Sequence, residues 1–182
     1  PANLGSSVGI SKARDDRELV AAVEGALKYD YKIIVEAAIV GREVEVSVLG
    51  NEEPRASVPG EIIPAAEFYD YKAKYIDENS RLIIPAQLDA ALVTRAQELA
   101  VEAFKAVDAV GLARVDLFVT EDGKILLNEI NTMPGFTVIS MYPKLWAESG
   151  LDGPRLVDRL VELGLAWHQR RLKLQHKYEE DL

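Results

Sequence analysis

Apolar residues recur at helical spacing in three parts of the chain, and each part predicts a helix. The first begins after Asp15 or Asp16, either of which can cap a helix. The second covers residues 88–107, where one apolar stripe predicts a long amphipathic helix. The third begins near Pro154, a residue suited to a first helical turn, with Gly164 as a possible break.

Other segments carry strand patterns. Residues 32–36 and 43–49 are rich in valine and isoleucine, and the second alternates polar with apolar residues, as a half-buried strand does. Residues 111–131 predict two strands joined at Asp122-Gly123, a strong signal for a hairpin. Residues 54–85, with their prolines and tyrosines, predict a long ordered loop. Helices and antiparallel strands together predict an α+β fold.

Composition narrows the chemistry. The 182 residues suffice for one domain, or one and a part, and the net charge of −9 disfavours a nucleic-acid partner. The chain has no cysteine, which excludes disulfides and thiolate catalysis, and only two histidines. A metal site would therefore use oxygen ligands, as magnesium or manganese do. No apolar run is long enough for a bilayer and no signal-peptide pattern is present, so we predict no membrane partner and a cytoplasmic location.

The hairpin concentrates the candidate chemistry. If Asp122 and Gly123 form a two-residue turn, Asp116 lies directly opposite Glu129. The same count pairs Arg114 with Asn131 and Phe118 with Leu127 on one face. The other, core-facing side then carries Val115, Leu117, Val119, Leu126 and Ile130.

Two directly opposed carboxylates repel each other unless a cation or a proton lies between them. A divalent ion held by Asp116, Glu129 and the amide oxygen of Asn131 would satisfy this requirement. Alternatively, Arg114 neutralises the pair in a salt-bridge cluster. Nearby, the amide of Gly135 could face an anion, and Arg114 offers a positive charge for one.

Two further segments are ambiguous when considered alone. The Gly5–Gly9 segment, which contains Ser6 and Ser7, could bind phosphate with its backbone amides or be a serine-rich turn. Lys74, between two tyrosines, could contact a ligand or be solvated.

Five segments in order resemble the D-alanine–D-alanine ligases, ATP-grasp enzymes of peptidoglycan synthesis. They are residues 5–12, Glu36 with 41–46, 68–75, 111–116 and 128–137. The resemblance implies the C-terminal domain of an ATP-grasp fold with part of the central domain. It implies a ligase that joins two D-alanines through an acyl phosphate and releases ADP and phosphate.

The resemblance also implies roles for the hairpin and for the loop after it. Asp116, Glu129 and Asn131 would hold two Mg²⁺ or Mn²⁺ ions that bridge the phosphates of ATP. Arg114 and the amide of Gly135 would stabilise the oxyanion of a tetrahedral intermediate. A further residue, Ser140, would hold the carboxylate of the second D-alanine.

Other positions would contact the nucleotide. The resemblance assigns Glu36, the backbone of Ile39, and Glu43 to adenine and ribose, and Phe68 and Phe118 to the walls of the adenine slot. Lys74 would reach the terminal phosphates, which Ser7 in the Gly5–Gly9 segment would also contact. Ser6 and Tyr75 would form a hydrogen-bonded pair that closes the loop over the substrate. Ala37 and Ala38 replace larger residues common in relatives, so the adenine pocket is expected to differ there.

The resemblance predicts how the chain is organised. Residues 1–35 would be a remnant of the central domain and residues 36–182 the C-terminal catalytic domain. The N-terminal domain and two lysines that contact ATP would be absent. The expected partners are D-alanine, the N-terminal portion and, when complete, a second copy in a homodimer. Alternatives are another ATP-grasp carboxylate-amine ligase, a D-alanine–D-lactate ligase, or a nucleotide-binding fragment without turnover.

Overall fold

The computed structural model describes residues 1–63 and 81–174, which belong to two compact units. One unit comprises Pro1–Gly41 and Ile62–Leu82, and the other comprises Arg42–Glu61 and Ile83–Leu182. The domain division at residues 35 and 36 stays a prediction.

The first unit contains helix α1 (Asp16–Ala26). The side chain of Asp15 accepts a hydrogen bond from the backbone N–H of Glu18 at 2.8 Å, so it caps the helix as predicted. The predicted strand at residues 32–36 is wrong, because that segment has no strand structure. Ile34 and Val35 are 60% and 65% exposed, and no described strand pairs with them, so β propensity alone does not produce a strand here.

A six-stranded sheet lies mainly in the second unit. Its strands in the described residues are β1 (Arg42–Gly50), β2 (Arg55–Ala56), β3 (Gly60–Ile63), β4 (Arg81–Ile83), β5 (Gly111–Val119) and β6 (Ile125–Asn131). The strand order is β4-β3-β1-β5-β6, with β2 paired to β1, and β5 is antiparallel to both of its neighbours. Three of these strands, β2 to β4, lie where a loop was predicted, so that prediction is wrong for them. Residues 64–80 lie outside the described part of the chain.

One face of the sheet packs against helix α2 (Ala90–Ala106), which confirms the predicted long helix. Small residues of the helix allow it to lie close to the strands. The buried cluster between helix and sheet contains Val46, Val48, Ala96, Ala100, Ala103, Phe104, Ala113, Val115 and Leu117.

The opposite face is covered at one end by helices α3 (Met141–Glu148) and α4 (Gly153–Leu172). Their apolar side chains Tyr142, Trp146, Leu156 and Leu163 form a second cluster with Leu49 of β1. The sequence pattern did not predict α3. It also proposed a break at Gly164, which is wrong, because α4 continues through that residue. No helix within residues 1–63 and 81–174 combines the length and apolarity needed to cross a membrane.

Candidate functional site

The turn of the β5–β6 hairpin differs from the predicted one. The N–H of Thr120 donates to the carbonyl of Lys124 at 3.0 Å, and the N–H of Gly123 donates to the carbonyl of Thr120 at 3.0 Å. The loop therefore has three residues, with Gly123 at a φ of 77°. The side chain of Thr120 accepts from the N–H of Lys124 at 3.1 Å and donates to Asp122 at 2.5 Å. These side-chain hydrogen bonds stabilise the wider loop.

A β-bulge then shifts the strand register by one residue. Asp116 pairs with Glu129, but the next pair is Leu117 with Leu127, which leaves Asn128 as the extra residue. The longer loop and the bulge cancel beyond this point. The predicted opposition of Asp116 and Glu129 is therefore confirmed, as is that of Arg114 and Asn131.

Between the hairpin loop and the bulge, the predicted register is wrong. Phe118 lies opposite Leu126 rather than Leu127. Leu126 therefore shares the face of Phe118 instead of the core face, and it is 37% exposed. Ile125 packs against the core in its place.

Strand β1 completes the site from the other side of β5. Glu45 lies opposite Asp116, so Glu45, Asp116 and Glu129 stand side by side on three adjacent strands. We call these three residues the carboxylate row. Opposed residues share a face, and side chains alternate along each strand, so this face carries two further rows. They are Ser47, Arg114 and Asn131 on one side, and Glu43, Phe118 and Leu126 on the other.

Arg114 lies among the carboxylates of the row. Its Nε and Nη2 donate to the two oxygens of Asp116 at 2.7 and 2.8 Å. The Nε is 3.3 Å from Glu45 and the Nη2 is 3.9 Å from Glu129. Burial by itself lowers the pKa of Arg114, but the hydrogen bonds to Asp116 and the charges of the three carboxylates outweigh burial and raise the pKa above its usual value.

The chemistry of this cluster suits a cation. Within the part of the chain that the structure describes, the guanidinium of Arg114 lies within 3.9 Å of all three carboxylates, and it is closest to Asp116, so the salt-bridge alternative accounts best for Asp116. The donors are carboxylate and amide oxygens, which suit a hard divalent ion. Within residues 1–63 and 81–174, however, no three Asp, Glu, His or Cys side chains converge as a ready-made metal site. Asn131 is oriented by its own turn, because its Oδ1 accepts from the N–H of Met133 at 3.1 Å.

The structure brings Gly135 and Ser140 together in the loop between β6 and α3. A Cβ added to Gly135 would lie 2.8 Å from Oγ of Ser140. The Ser140 hydroxyl accepts from the N–H of Thr137 at 3.0 Å and lies 2.9 Å from the Thr137 hydroxyl. The loop thus places a side-chain-free backbone position directly against a hydroxyl.

Two buried hydrogen bonds tie the start of α3, two residues beyond Ser140, to strand β1. The Tyr142 hydroxyl donates to the carbonyl of Val48 at 3.0 Å. The Ser47 hydroxyl donates to the carbonyl of Tyr142 at 3.3 Å. Because Ser47 lies opposite Arg114, these hydrogen bonds anchor the end of the loop beside the row of Ser47, Arg114 and Asn131.

In the first unit, Ser6 and Ser7 adopt left-handed backbone conformations, with φ of 56° and 59°. The N–H of Val8 donates to the carbonyl of Gly5 at 3.2 Å, which closes a tight turn. Two successive non-glycine residues in this region are strained, and such strain is common at ligand sites.

The remaining candidate residues lie outside helices and strands or outside the described part of the chain. Glu36 and Ile39 are exposed in a segment without helix or strand. The predicted ligand residues Phe68, Lys74 and Tyr75 lie outside the described residues.

No functional role was predicted from the sequence for Glu45 or Leu126. A polar–apolar alternation marks Glu43 and Glu45 as sharing a face, but it does not show which strand lies beside them. Leu126 was placed on the wrong face because a two-residue turn was predicted, whereas the loop has three residues.

The antiparallel sheet with helices on both faces, and the row of oxygen donors on it, define the ATP-grasp class of folds. The model of the family described as "D-ala D-ala ligase C-terminus" matches residues 1–162. The chain therefore belongs to the D-alanine–D-alanine ligase family through this C-terminal domain.

Curated relatives of this chain carry the name D-alanine–D-alanine ligase. The D-alanine–D-alanine ligase of Oceanobacillus iheyensis is 53% identical over 176 residues, which are 96% of this chain and 48% of that protein. The ligase of Heliobacterium modesticaldum is 58% identical over 172 residues, 94% of this chain and 47% of that protein. The chain spans about half the length of the curated relatives it matches.

Solved structures agree with the fold. The D-alanine–D-alanine ligase of Coxiella burnetii matches with a TM-score of 0.83 and 45% identity, over 93% of this chain and 45% of that one. The VanG D-Ala:D-Ser ligase of Enterococcus faecalis matches with a TM-score of 0.79 and 42% identity, over 87% of this chain and 46% of that one.

Proposed function

We propose that this chain acts as the catalytic C-terminal part of an ATP-dependent D-alanine–D-alanine ligase. The ligase would join two D-alanines through an acyl phosphate and release ADP and phosphate, in peptidoglycan synthesis. The observation that carries the proposal is the carboxylate row with Arg114 beside it, on the sheet of a chain that belongs to this family. An arginine beside these carboxylates favours a catalytic domain, because it could stabilise negative charge that develops in a reaction.

The nucleotide would lie along the same face. Glu43 and Phe118, opposite each other on β1 and β5, would contact ribose and adenine, and Leu126 extends the apolar surface beside Phe118. By resemblance, we assign Glu36, the backbone of Ile39 and Phe68 to the adenine. We assign Ser7 of the Gly5–Gly9 turn and Lys74 to the phosphates, and Ser6 to a pair with Tyr75, on the same ground.

Asp116, Glu129 and Asn131 would hold two Mg²⁺ or Mn²⁺ ions, since their oxygens fit a hard cation. When bound, the ions would offset charge on the phosphates. The residues of the chain mainly orient the reactants and stabilise charge.

Arg114 and the loop after β6 would serve the second step, in which the amine of one D-alanine attacks the activated carboxyl of the other. The guanidinium of Arg114 and the N–H of Gly135 would stabilise the oxyanion that forms there. The hydroxyl of Ser140 would hold the carboxylate of the attacking D-alanine. The closeness of Gly135 to this hydroxyl, where an added Cβ would lie 2.8 Å from Oγ of Ser140, supports the assignment.

The test is a chimera in which this chain follows the part of the Oceanobacillus iheyensis ligase that precedes the matched residues. Given ATP, Mg²⁺ and D-alanine, the chimera should release phosphate and form the dipeptide. Its Arg114→Ala variant should lose at least about 100-fold in rate, the size expected for a lost oxyanion donor. An Arg95→Ala variant is the matched control, because Arg95 is exposed on α2 and its ion pairs within the described residues are with Glu98 and Glu102 of the same helix.

The outcomes separate the candidates. A folded chimera without D-alanine-dependent phosphate release would refute the proposal. The 182-residue chain alone should be essentially inactive, because aligned reactants account for roughly 7 to 11 kcal/mol of a barrier and half of the aligning surface would be missing.

A second candidate is a ligase that takes D-serine as the second substrate. The match to a D-Ala:D-Ser ligase at 42% identity supports it. Dipeptide formation by the chimera with D-alanine, D-serine and D-lactate as competing acceptors distinguishes the two, and an ester product would indicate the lactate enzyme.

A further inference from the structure

One carboxylate of the row, Glu45, has no role in the function proposed above. It lies on β1, which is hydrogen-bonded to β5 along its whole length and has other strands on its opposite side. Only 7% of Glu45 is exposed. A buried carboxylate requires strong compensation, so a glutamate at this position needs a nearby positive charge.

Arg114 supplies that charge, and it does so while paired with another carboxylate. Its Nε lies 2.7 Å from Asp116 and 3.3 Å from Glu45. The same nitrogen is therefore within ion-pair distance of two acceptors, one on its own strand and one on the neighbouring strand.

This geometry matters when a cation approaches Asp116. Both oxygens of Asp116 hold N–H groups of Arg114 at 2.7 and 2.8 Å. A divalent ion within coordinating distance of either oxygen would repel the guanidinium. Arg114 is largely buried, with 20% of its side chain exposed, so a displaced guanidinium without an acceptor would be strongly destabilised.

We propose that Glu45 is a positioning residue that holds Arg114 on this face of the sheet when a divalent cation takes the carboxylate of Asp116. The guanidinium moves from Asp116 towards Glu45, and it stays aimed at the position where the proposed reaction develops negative charge. This inference rests on the proposed function for its purpose, but the exchange of partners can be measured without turnover.

The first measurement is binding of Mn²⁺ to the 182-residue chain in the presence of ADP, followed by electron paramagnetic resonance. Glu45→Gln should weaken Mn²⁺ binding by roughly tenfold, as the loss of a residue that orients the groups around a metal does. Glu61→Gln is the matched control. Glu61 is also 7% exposed and holds an arginine with two hydrogen bonds, at 2.7 and 2.6 Å.

That control separates the effect of losing one negative charge from the effect of the place where the charge is lost. The partner of Glu61 is Arg42, which precedes Glu43 and so faces the opposite side of the sheet. Glu61→Gln removes the same unit of charge from the same sheet but on its other face, so its Mn²⁺ affinity should stay close to that of wild type. Glu45→Asp, which keeps the charge, should recover part of the lost affinity.

The second measurement follows Arg114 itself through its Nε–H resonance in ¹⁵N-labelled chain. In wild type, Mg²⁺ and ADP should shift this resonance while it stays sharp and protected from solvent exchange. In Glu45→Gln the same addition should broaden it or speed its exchange. If Glu45 only stabilised the fold, the difference between the Arg114 resonances of wild type and Glu45→Gln would not depend on metal.

Three results would overturn the inference. They are equal Mn²⁺ affinity of wild type and Glu45→Gln, no Mn²⁺ binding by wild type, or an Arg114 resonance that metal does not move in wild type. Failure of the proposed function looks different, since the chimera would then form no dipeptide while metal binding still depended on Glu45.

Discussion

Arg114 holds both oxygens of Asp116, two residues further along the same strand, at 2.7 and 2.8 Å. The pair lies between the two outer carboxylates of the row, Glu45 on β1 and Glu129 on β6. These two differ sharply in exposure, since the side chain of Glu45 is 9% exposed and that of Glu129 is 59% exposed. The buried Glu45 is therefore suited to orienting Arg114, and the exposed Glu129 is suited to contacting a ligand.

Glu129→Gln should separate stability from activity. Glu129 is exposed and 3.9 Å from Arg114, so the free energy of unfolding should change by no more than about 0.5 kcal/mol. In the chimera, metal-dependent turnover should fall by roughly 100-fold or more, as with other groups that offset developing charge. Urea unfolding and phosphate release measure the two effects. Turnover and metal dependence equal to wild type would exclude Glu129 as a ligand.

Gly135→Ala tests the close contact in the loop after β6. The new methyl would lie 2.8 Å from Oγ of Ser140 and 3.6 Å from its Cβ, so the hydroxyl must move away from Thr137. We expect a loss of about 1 kcal/mol in stability, the lower end for overpacking, and a higher KM for D-alanine in the chimera.

A double-mutant cycle provides the control for that contact. Gly135→Ala should cost much less stability in a Ser140→Ala background, because the atom in conflict is then absent. Equal costs in both backgrounds, measured by thermal unfolding, would show that the contact with Ser140 is not the cause.

Two glycines give opposite expectations for the same substitution. Gly123 has a φ of 77° in the hairpin loop, so Gly123→Ala should destabilise the protein by about 1 kcal/mol. Gly164 lies inside α4 and a Cβ there meets nothing within 4 Å, so Gly164→Ala should stabilise by about 0.5 to 1 kcal/mol. Denaturant unfolding of both variants checks the signs. Destabilisation by the helix substitution would contradict the continuous helix.

Tyr142→Phe should reveal a pH dependence of stability. Burial raises the pKa of Tyr142 above its usual value, while the same residue in the unfolded chain ionises near pH 10. The folded protein therefore keeps a proton that the unfolded chain releases, and its stability falls as pH rises above about 10. Below that pH the stability contributed by the neutral tyrosine is fully present.

The comparison with phenylalanine isolates this effect. Near neutral pH the variant should be less stable by about 1 kcal/mol, because it loses the hydrogen bond to the carbonyl of Val48. Above about pH 10 the difference should shrink, since only wild type loses stability through this group. Urea titrations on both sides of that pH test it, and a constant difference would contradict the assignment.

Local signals in the sequence determined much of the fold. The Asp15 cap, the apolar stripe of α2 and the alternation in β1 all predicted elements that the structure contains. These signals depend on neighbours within a turn or two of chain. The segment at residues 32–36 failed as a strand because β structure requires a partner strand, which a local pattern does not specify.

The hairpin shows where local inference reaches its limit. The opposition of Asp116 and Glu129 was predicted from a two-residue turn, whereas the structure reaches it through a three-residue loop and a bulge at Asn128. The two deviations cancel for Arg114 and Asp116, but not for Phe118. The sequence could therefore predict the pair of carboxylates but not the neighbour of Phe118.

The sequence by itself determined the oxygen-rich chemistry of the site, because it supplies no cysteine and places Arg114, Asp116, Glu129 and Asn131 on one hairpin. Only the tertiary structure decided that Glu45 would join them. Glu45 and Asp116 are distant in sequence, and their contact depends on which strands pair and in which register. That pairing is set by the packing of the whole sheet on α2, since slipping β1 by one residue would turn its buried valines away from the helix.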